Sequence, residues 1–213
     1  MSHLPDGIRN RRSVRKYEDH RVPKEIILEL LEAAGWAPSA HNAQPWRFIV
    51  LDDGQAKTRL AKDMAKAWAA DMAKDGIAVE PEMFRLRIER FAEAPALVLA
   101  CMSMEGMTKQ PDTERQGVER DLAMQSLGAA LENLLLAAHT LGLGACWFCA
   151  PAYCREAVRA ALKIPEKVEP QALIALGYPA EKSVAPARKR VGEYCFLNQW
   201  GAPLKAQRNK KSS

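Results

Sequence analysis

Residues 119–141 read ERDLAMQSLGAALENLLLAAHTL, the longest helical pattern in the chain. Apolar positions recur at helical spacing without a proline, and small residues stand on several faces: Ala123, Ser126, Gly128, Ala129, Ala130, Ala137 and Ala138. Small side chains let a second element approach closely, so this helix is expected at the centre of the fold or at a subunit interface. Gly142 stops it. Beyond the stop the pattern predicts a short strand over 145–149, a helix over 153–162 ahead of Pro165, and another strand over 171–176. After Tyr178-Pro179 there is little periodicity.

Working back from residue 119, positions 105–117 read as polar loop and 96–102 as a continuous apolar run of strand length. Pro81 opens a helix with Phe84, Ile88 and Phe91 inward. Asp53 caps another whose inner stripe is Leu60, Met64, Ala67 and Trp68. Trp46–Leu51 reads as a buried strand, the proline-punctuated 36–45 as a loop, and a helix starts at Pro23 and carries Ile26, Ile27, Leu30, Leu31 and Ala34 up to Gly35. No repeat or linker interrupts the series. The expectation is one domain, residues 1–203, of mixed helices and about four core strands, with an extended C-terminal arm and a basic mobile tail at 204–213.

With 213 residues, 48% hydrophobic and 27% charged, the chain matches ordinary globular composition, which excludes collagen-like, coiled-coil and wholly disordered classes. The apolar-leaning stretches 94–104 and 134–152 are broken by Pro95, His139, Thr140 and glycines, short of the roughly 20 apolar residues a bilayer span requires. Residues 1–10 lack the apolar core of a secretory signal, so a cytoplasmic protein is expected, without a membrane partner. The net charge is +5, but the tail holds Lys205, Arg208, Lys210 and Lys211 without an acid; subtracting its +4 leaves the rest at +1. A nearly neutral body argues against a nucleic-acid partner. The five cysteines, an odd number without a signal, read as reduced thiols.

Several groups of residues could carry chemistry. Arg9-Asn10-Arg11-Arg12-Ser13-Val14-Arg15-Lys16 is the densest cationic cluster, and guanidinium forks with a serine hydroxyl suit a phosphate. The same residues also read as a solvated basic surface. Arg188-Lys189-Arg190 is equally ambiguous alone. In 37–46, Ser39, Asn42 and Gln44 offer amide and hydroxyl groups between two prolines, able to read the edge of a flat heterocycle or to form an ordinary helix–strand turn. Cys146-Trp147-Phe148-Cys149 has redox-pair spacing but lies in a strand-like run, where a thioredoxin-type pair does not sit. Zinc at Cys146, Cys149, Cys154 and His139 lacks the paired ligand spacing of structural sites. P-loop, dinucleotide, zincin and hydrolase-elbow motifs are absent from the sequence.

Taken together, the run from Ile8 to Tyr17, the Val22-Pro23 helix start, the run from Ala37 to Trp46, Gly142-Leu143-Gly144-Ala145-Cys146-Trp147 and Leu176-Gly177-Tyr178-Pro179 resemble, in order, the FMN-dependent nitroreductase family. The resemblance covers about residues 8 to 200. It implies an α+β fold with a central, mainly antiparallel sheet flanked by helices, an intertwined homodimer with an extended C-terminal arm, and two FMN sites at the interface. By that resemblance Arg11, Arg12, Ser13 and Arg15 hold the ribityl phosphate and Arg188 and Arg190 close over it. Pro38, Ser39, Ala40, Asn42 and Gln44 belong to a loop laid along the flavin by the partner subunit, and Phe148, Cys149 and Ala150 place a backbone N–H near flavin N5. Many relatives have glycine or glutamate where Cys149 stands. Further flavin contacts are expected within 85–90, with no single residue chosen.

The activity implied is hydride transfer from NAD(P)H through flavin N5 to a small conjugated, quinone or nitroaromatic acceptor by a ping-pong mechanism. No catalytic protein side chain is implied, because the flavin carries the chemistry. Residues 142–147 and the C-terminal half also look like domains that reduce a deazaflavin-cofactor precursor. A non-enzymatic flavin-binding protein is the third alternative.

Overall fold

The strand that organises the molecule is β2, Ala96–Ser103, in which all eight residues are buried. Alternate side chains of a strand point to opposite faces, and here both faces are covered. Ala96, Val98, Ala100 and Met102 join one core, whereas Leu97, Leu99 and Cys101 join the other. A computed structural model of the chain describes residues 4–204. Within them β2 pairs antiparallel with β1 (Trp46–Leu51) and with β4 (Val168–Gly177), and β4 pairs antiparallel with β3 (Gly144–Phe148). The order is β1-β2-β4-β3. The β2–β4 register shifts between Ala100 and Cys101, where Cys101 faces Pro170. Proline has no N–H to give the ladder, so a bulge forms there.

The first face is covered by α2 (Lys24–Gly35) and α5 (Thr113–Thr140). α5 buries Ala123, Ser126, Leu127, Ala130, Leu131, Leu134, Leu135 and Ala138, a stripe at three- and four-residue spacing. Its alanines let it lie close to the sheet. The opposite face is covered by α3 (Gly54–Lys74), α4 (Pro81–Ala92) and α7 (Arg155–Leu162). Short helices α1 (Asp6–Asn10) and α6 (Ala150–Tyr153) complete the set.

Four expectations are corrected. α5 starts at Thr113, not at 119, because the Asp112 carboxylate caps it by accepting from Arg115 N at 2.8 Å, so the supposed loop 105–117 ends in helix. The helix expected over 153–162 is two, α6 and α7, broken at Cys154, whose backbone leaves the helical region (φ −135°, ψ 44°). In α3 the buried stripe is Lys57, Leu60, Ala61, Met64 and Ala65, while Ala67 and Trp68 are only half-buried. Phe91 alone of the α4 stripe is buried; Phe84 and Ile88 lie at its margin.

The chain divides into two units, residues 1–183 and 184–213. In the second, a 3-10 turn at Val191–Glu193 precedes a return in which Leu197 N donates to Ala202 O at 2.9 Å and Phe196 packs on Trp200 at 4.7 Å. The basic tail from residue 205 lies outside the described residues. Among the described residues no helix is long and apolar enough to cross a membrane, and all five cysteines are free thiols.

Candidate active site

β3 is an edge strand, and the basic segment runs along its open side. Ser13 bridges Ala145 in parallel, and Val14 N donates to Ala145 O at 3.0 Å. The approach depends on Gly144, where a Cβ would stand 2.7 Å from two Val14 carbons. Tyr17 fixes the other end: its O–H donates to Val14 O at 2.6 Å, with Ala175 O at 3.1 Å as second acceptor. Burial pushes the Tyr17 phenol above its ordinary range, so it stays a donor. Glu18 N to Tyr178 O (2.9 Å) and Ala180 N to Lys16 O (3.1 Å) tie the segment to the chain leaving β4. Gly177 is needed there as well, since a Cβ would meet Pro95 at 2.7 Å and Tyr17 at 2.8 Å.

This scaffold sets out the cations. Arg11 Nε lies 3.4 Å from Glu132 Oε1 on α5. Arg12 instead donates to the carbonyls of Arg9 and Arg11, both at 2.7 Å, and Arg15 reaches Ser13 O at 3.4 Å. Among the described residues no carboxylate pairs with Arg12 or Arg15. Arg11 and Arg12 line a groove of about 430 Å3 that also meets His139, Gly144 and Lys182. Guanidinium groups ordered by carbonyls, with their charge unanswered, are suited to an anion.

β3 ends at Phe148, whose ring meets Phe91 edge-on at 5.1 Å. Cys149 is exposed, and Ala150 begins α6. Of the arginines in 85–90, Arg85 is held by Glu82 and Glu89, Arg87 lies over Trp68, and Arg90 lies 5.9 Å from the Phe148 ring centre. Burial pushes the Cys146 thiol up, opposed by Arg15, by a hydrogen bond with Ser13, and by Arg90 and Arg11. Three arginines from two distant stretches thus converge on β3. The expectation for 85–90 named no residue, because which arginine stands beside β3 depends on how α4 packs.

The loop 37–46 is built differently. His41, Asn42 and Gln44 have positive φ (57°, 53° and 46°), a conformation costing roughly 1–3 kcal/mol each for non-glycine residues. It is over-determined by side chains: Ser39 Oγ accepts from Gln44 N (3.1 Å), Ser126 Oγ accepts from Ala40 N (3.1 Å), and His41 Nε2 lies 3.2 Å from Glu119 Oε2. Asn42 and Gln44 are exposed, and Gln44 Nε2 donates to Asn42 Oδ1 at 3.3 Å, so the two amides order one another. Pro38 is exposed beside them.

The structure brings together Arg11, Arg12, Ser13, Arg15, Phe148, Cys149 and Ala150 around β3. It does not bring Pro38, Ser39, Ala40, Asn42 and Gln44 to them within one chain. The loop rests on Glu119 and Ser126, the basic segment on Glu132 and the region of Leu135 and His139, so at 1.5 Å per residue the nearest footings, Ser126 and Glu132, stand about 9 Å apart along α5 and the outermost, Glu119 and His139, about 30 Å. Arg188 and Arg190 are exposed and belong to the second unit, where Arg190 N donates to Glu193 Oε1 at 2.6 Å.

Comparison with known proteins assigns this arrangement to a class. The model of the nitroreductase family matches residues 8–178. A Methanothermobacter thermautotrophicus protein described as an NADH dehydrogenase/NAD(P)H nitroreductase is 35% identical over 178 residues, 83% of this chain and 77% of that one. The 5,6-dimethylbenzimidazole synthase of Rhodospirillum rubrum is 32% identical over 182 residues, 85% of this chain and 84% of that one. The structure of a nitroreductase in complex with FMN from Desulfovibrio desulfuricans superposes with a TM-score of 0.69 at 29% identity, covering 93% of this chain and 99% of that one. The chain belongs to the nitroreductase family, and its α+β fold is the nitroreductase fold. It is by that membership an oxidoreductase.

Proposed function

We propose that this chain is an FMN-dependent oxidoreductase that takes reducing equivalents from NAD(P)H and delivers them, in a ping-pong cycle, to a small conjugated, quinone or nitroaromatic acceptor. The observation that carries the reading is the pair of guanidinium groups, Arg12 and Arg15, held at the β3 edge without a carboxylate partner. A phosphomonoester brings about −1.5 to −2 charges and three acceptor oxygens, which these donors fit, with Arg11 and the Ser13 hydroxyl beside them.

The redox step, acceptance of a hydride from NAD(P)H and its passage to a second substrate, is chemistry supplied by the flavin when bound. The chain's part is binding and placement. Gly144 and Tyr17 hold the cationic segment against β3, Phe148, Cys149 and Ala150 form the strand end that faces the ring system, and Arg90 adds a fixed positive charge beside Phe148. The loop residues Pro38, Ser39, Ala40, Asn42 and Gln44 serve the site of the other subunit in a homodimer. Their separation from the basic segment within one chain supports that exchange, as do Trp36 just past α2, Leu28 on α2 and Val118 on α5, which are 80%, 65% and 55% exposed.

Purified protein should be yellow, and should bleach when NAD(P)H is added without oxygen. Colourless protein that takes up no added FMN refutes the reading. Likeness to the dimethylbenzimidazole synthase supports a second one. The product in that name is a dimethylated benzene ring carrying two adjacent nitrogens, a unit that flavins contain, so the bound flavin would itself be consumed. Mass spectrometry of flavin recovered after aerobic incubation with NAD(P)H separates the two: intact FMN supports turnover, and a benzimidazole product supports consumption.

A further inference from the structure

Between α3, α4 and α6, on the sheet face opposite α5, lies a cavity of about 290 Å3 walled by Met64, Trp68, Met72, Phe91 and Tyr153. The cationic groove does not contribute to it; Ala150 is the residue it shares with the strand end described above. Arg87 reaches into this wall with its guanidinium 4.2 Å over the Trp68 ring. Among the described residues Arg87 has neither a hydrogen-bond acceptor nor a carboxylate partner, whereas its neighbour Arg85 is held by Glu82 and Glu89. Asp71, the acid in the wall, is engaged by Lys74 at 2.8 Å. An apolar chamber therefore ends in one half-buried cation, stacked on Trp68, that pairs with no acid among the described residues.

We propose that this cavity binds a small aromatic carboxylate, with its ring among Met64, Trp68 and Phe91 and its carboxylate on Arg87. The size lies at the lower end of ligand pockets, which run from about 300 Å3 upward, and suits one or two fused rings. Thioether and aromatic walls are polarizable and favour a flat π-system over an aliphatic chain. The guanidinium fork matches a carboxylate in two parallel hydrogen bonds, and its stacking on Trp68 orders it in advance. One cation answers one negative charge, which favours a monoanion over a phosphate. Burial, and then the charge of Arg90, lower the proton affinity of Arg87, and the negative charge of an incoming carboxylate opposes both. The site goes beyond the flavin reading, and its binding can be measured whether or not that reading holds.

The test is titration of 1-naphthoate and of benzoate into the purified full-length protein carrying 13C-methyl methionine, followed by methyl NMR. The Met64 and Met72 methyl signals are expected to shift and saturate with the acids, and far less with 1-naphthamide, the uncharged counterpart. Arg87→Gln should weaken naphthoate binding by about 10- to 150-fold, the range for losing hydrogen bonds to a charged group. Arg87→Lys, which keeps the charge but loses the fork, should weaken it less, and Arg85→Gln should leave it unchanged. Absence of shifts at both methionines overturns the proposal, as does equal binding of acid and amide. The acid–amide comparison uses the unmodified protein and holds even if an Arg87 variant does not fold. If a second copy of the chain fills the cavity instead, the methyl signals will respond to protein concentration and not to either acid, which also overturns it.

Discussion

Among the described residues Arg12 and Arg15 are oriented by the carbonyls of their own segment and meet no carboxylate, which leaves their charge open to a bound anion. Alanine at either is expected to lower FMN affinity by about 10- to 150-fold, the equivalent of about 1.5–3 kcal/mol for a charge-assisted hydrogen bond. Riboflavin, which lacks the phosphate, should lose much less. Lys16→Ala is the control, because Lys16 is exposed and already paired with Glu181 at 3.5 Å. Titrating the three variants with both flavins checks the assignment, and equal losses for the two ligands would remove it. A second expectation concerns pH. Burial pushes the Cys101 thiol from 9.0 up to about 12 and the Cys154 thiol to about 11. Above pH 9 the unfolded chain releases these protons while the folded chain retains them, so the folded state binds more protons and stability falls as pH rises. Urea midpoints should drop between about pH 8 and pH 10.5, and Cys101→Ala should flatten that slope.

At the scale of elements, two glycines separate close approach from open space. Gly144→Ala forces a Cβ to within 2.7 Å of Val14, and overpacking of this kind costs about 1–3 kcal/mol. Urea denaturation should show that loss, and FMN affinity should fall with it because the basic segment is displaced. Gly128 on α5 has nothing within 4 Å, so Gly128→Ala should instead stabilise by up to about 1 kcal/mol through helix propensity. Much of this architecture was legible in the chain. The run Ala96–Met102 and the stripe Leu127, Leu131, Leu134, Ala138 obey the strand and helix periods closely, and burial acts on those same periods. The start of α5 was missed, because the polar residues that follow the capping Asp112 resemble loop. Other features were not legible. The break at Cys154 follows from how α6 and α7 pack, and the positive φ of His41, Asn42 and Gln44 is imposed by hydrogen bonds to Ser39, Ser126 and Glu119, two of them some 80 residues away. Of the site, the basic run was visible as a cluster; that it lies on β3 beside Arg90 is a tertiary fact.

For the whole molecule, α5 acts as a spacer with the strained loop at one end and the cationic segment at the other. Under the proposed function a site using both takes two chains, and cofactor retention is expected to depend on protein concentration. Gly128→Leu provides a check: with open space around residue 128 in a single chain, the larger side chain should leave folding cooperativity intact while lowering the dimer fraction and FMN retention together. Sedimentation and flavin absorbance, measured on one dilution series, test that pairing, and a monomeric variant with undiminished FMN affinity would contradict it. β3 ends the sheet, and an uncovered outer strand is a template for joining other chains. Ser13 and Val14 occupy its free hydrogen-bonding row, so the residues that present cations also act as a guard against sticking. Anything that peels them away bares the Gly144–Phe148 backbone, so displacing the cationic segment and losing solubility become a single event. Gly144→Ala, which pushes Val14 off that edge, should therefore aggregate on concentration where the parent chain stays in solution.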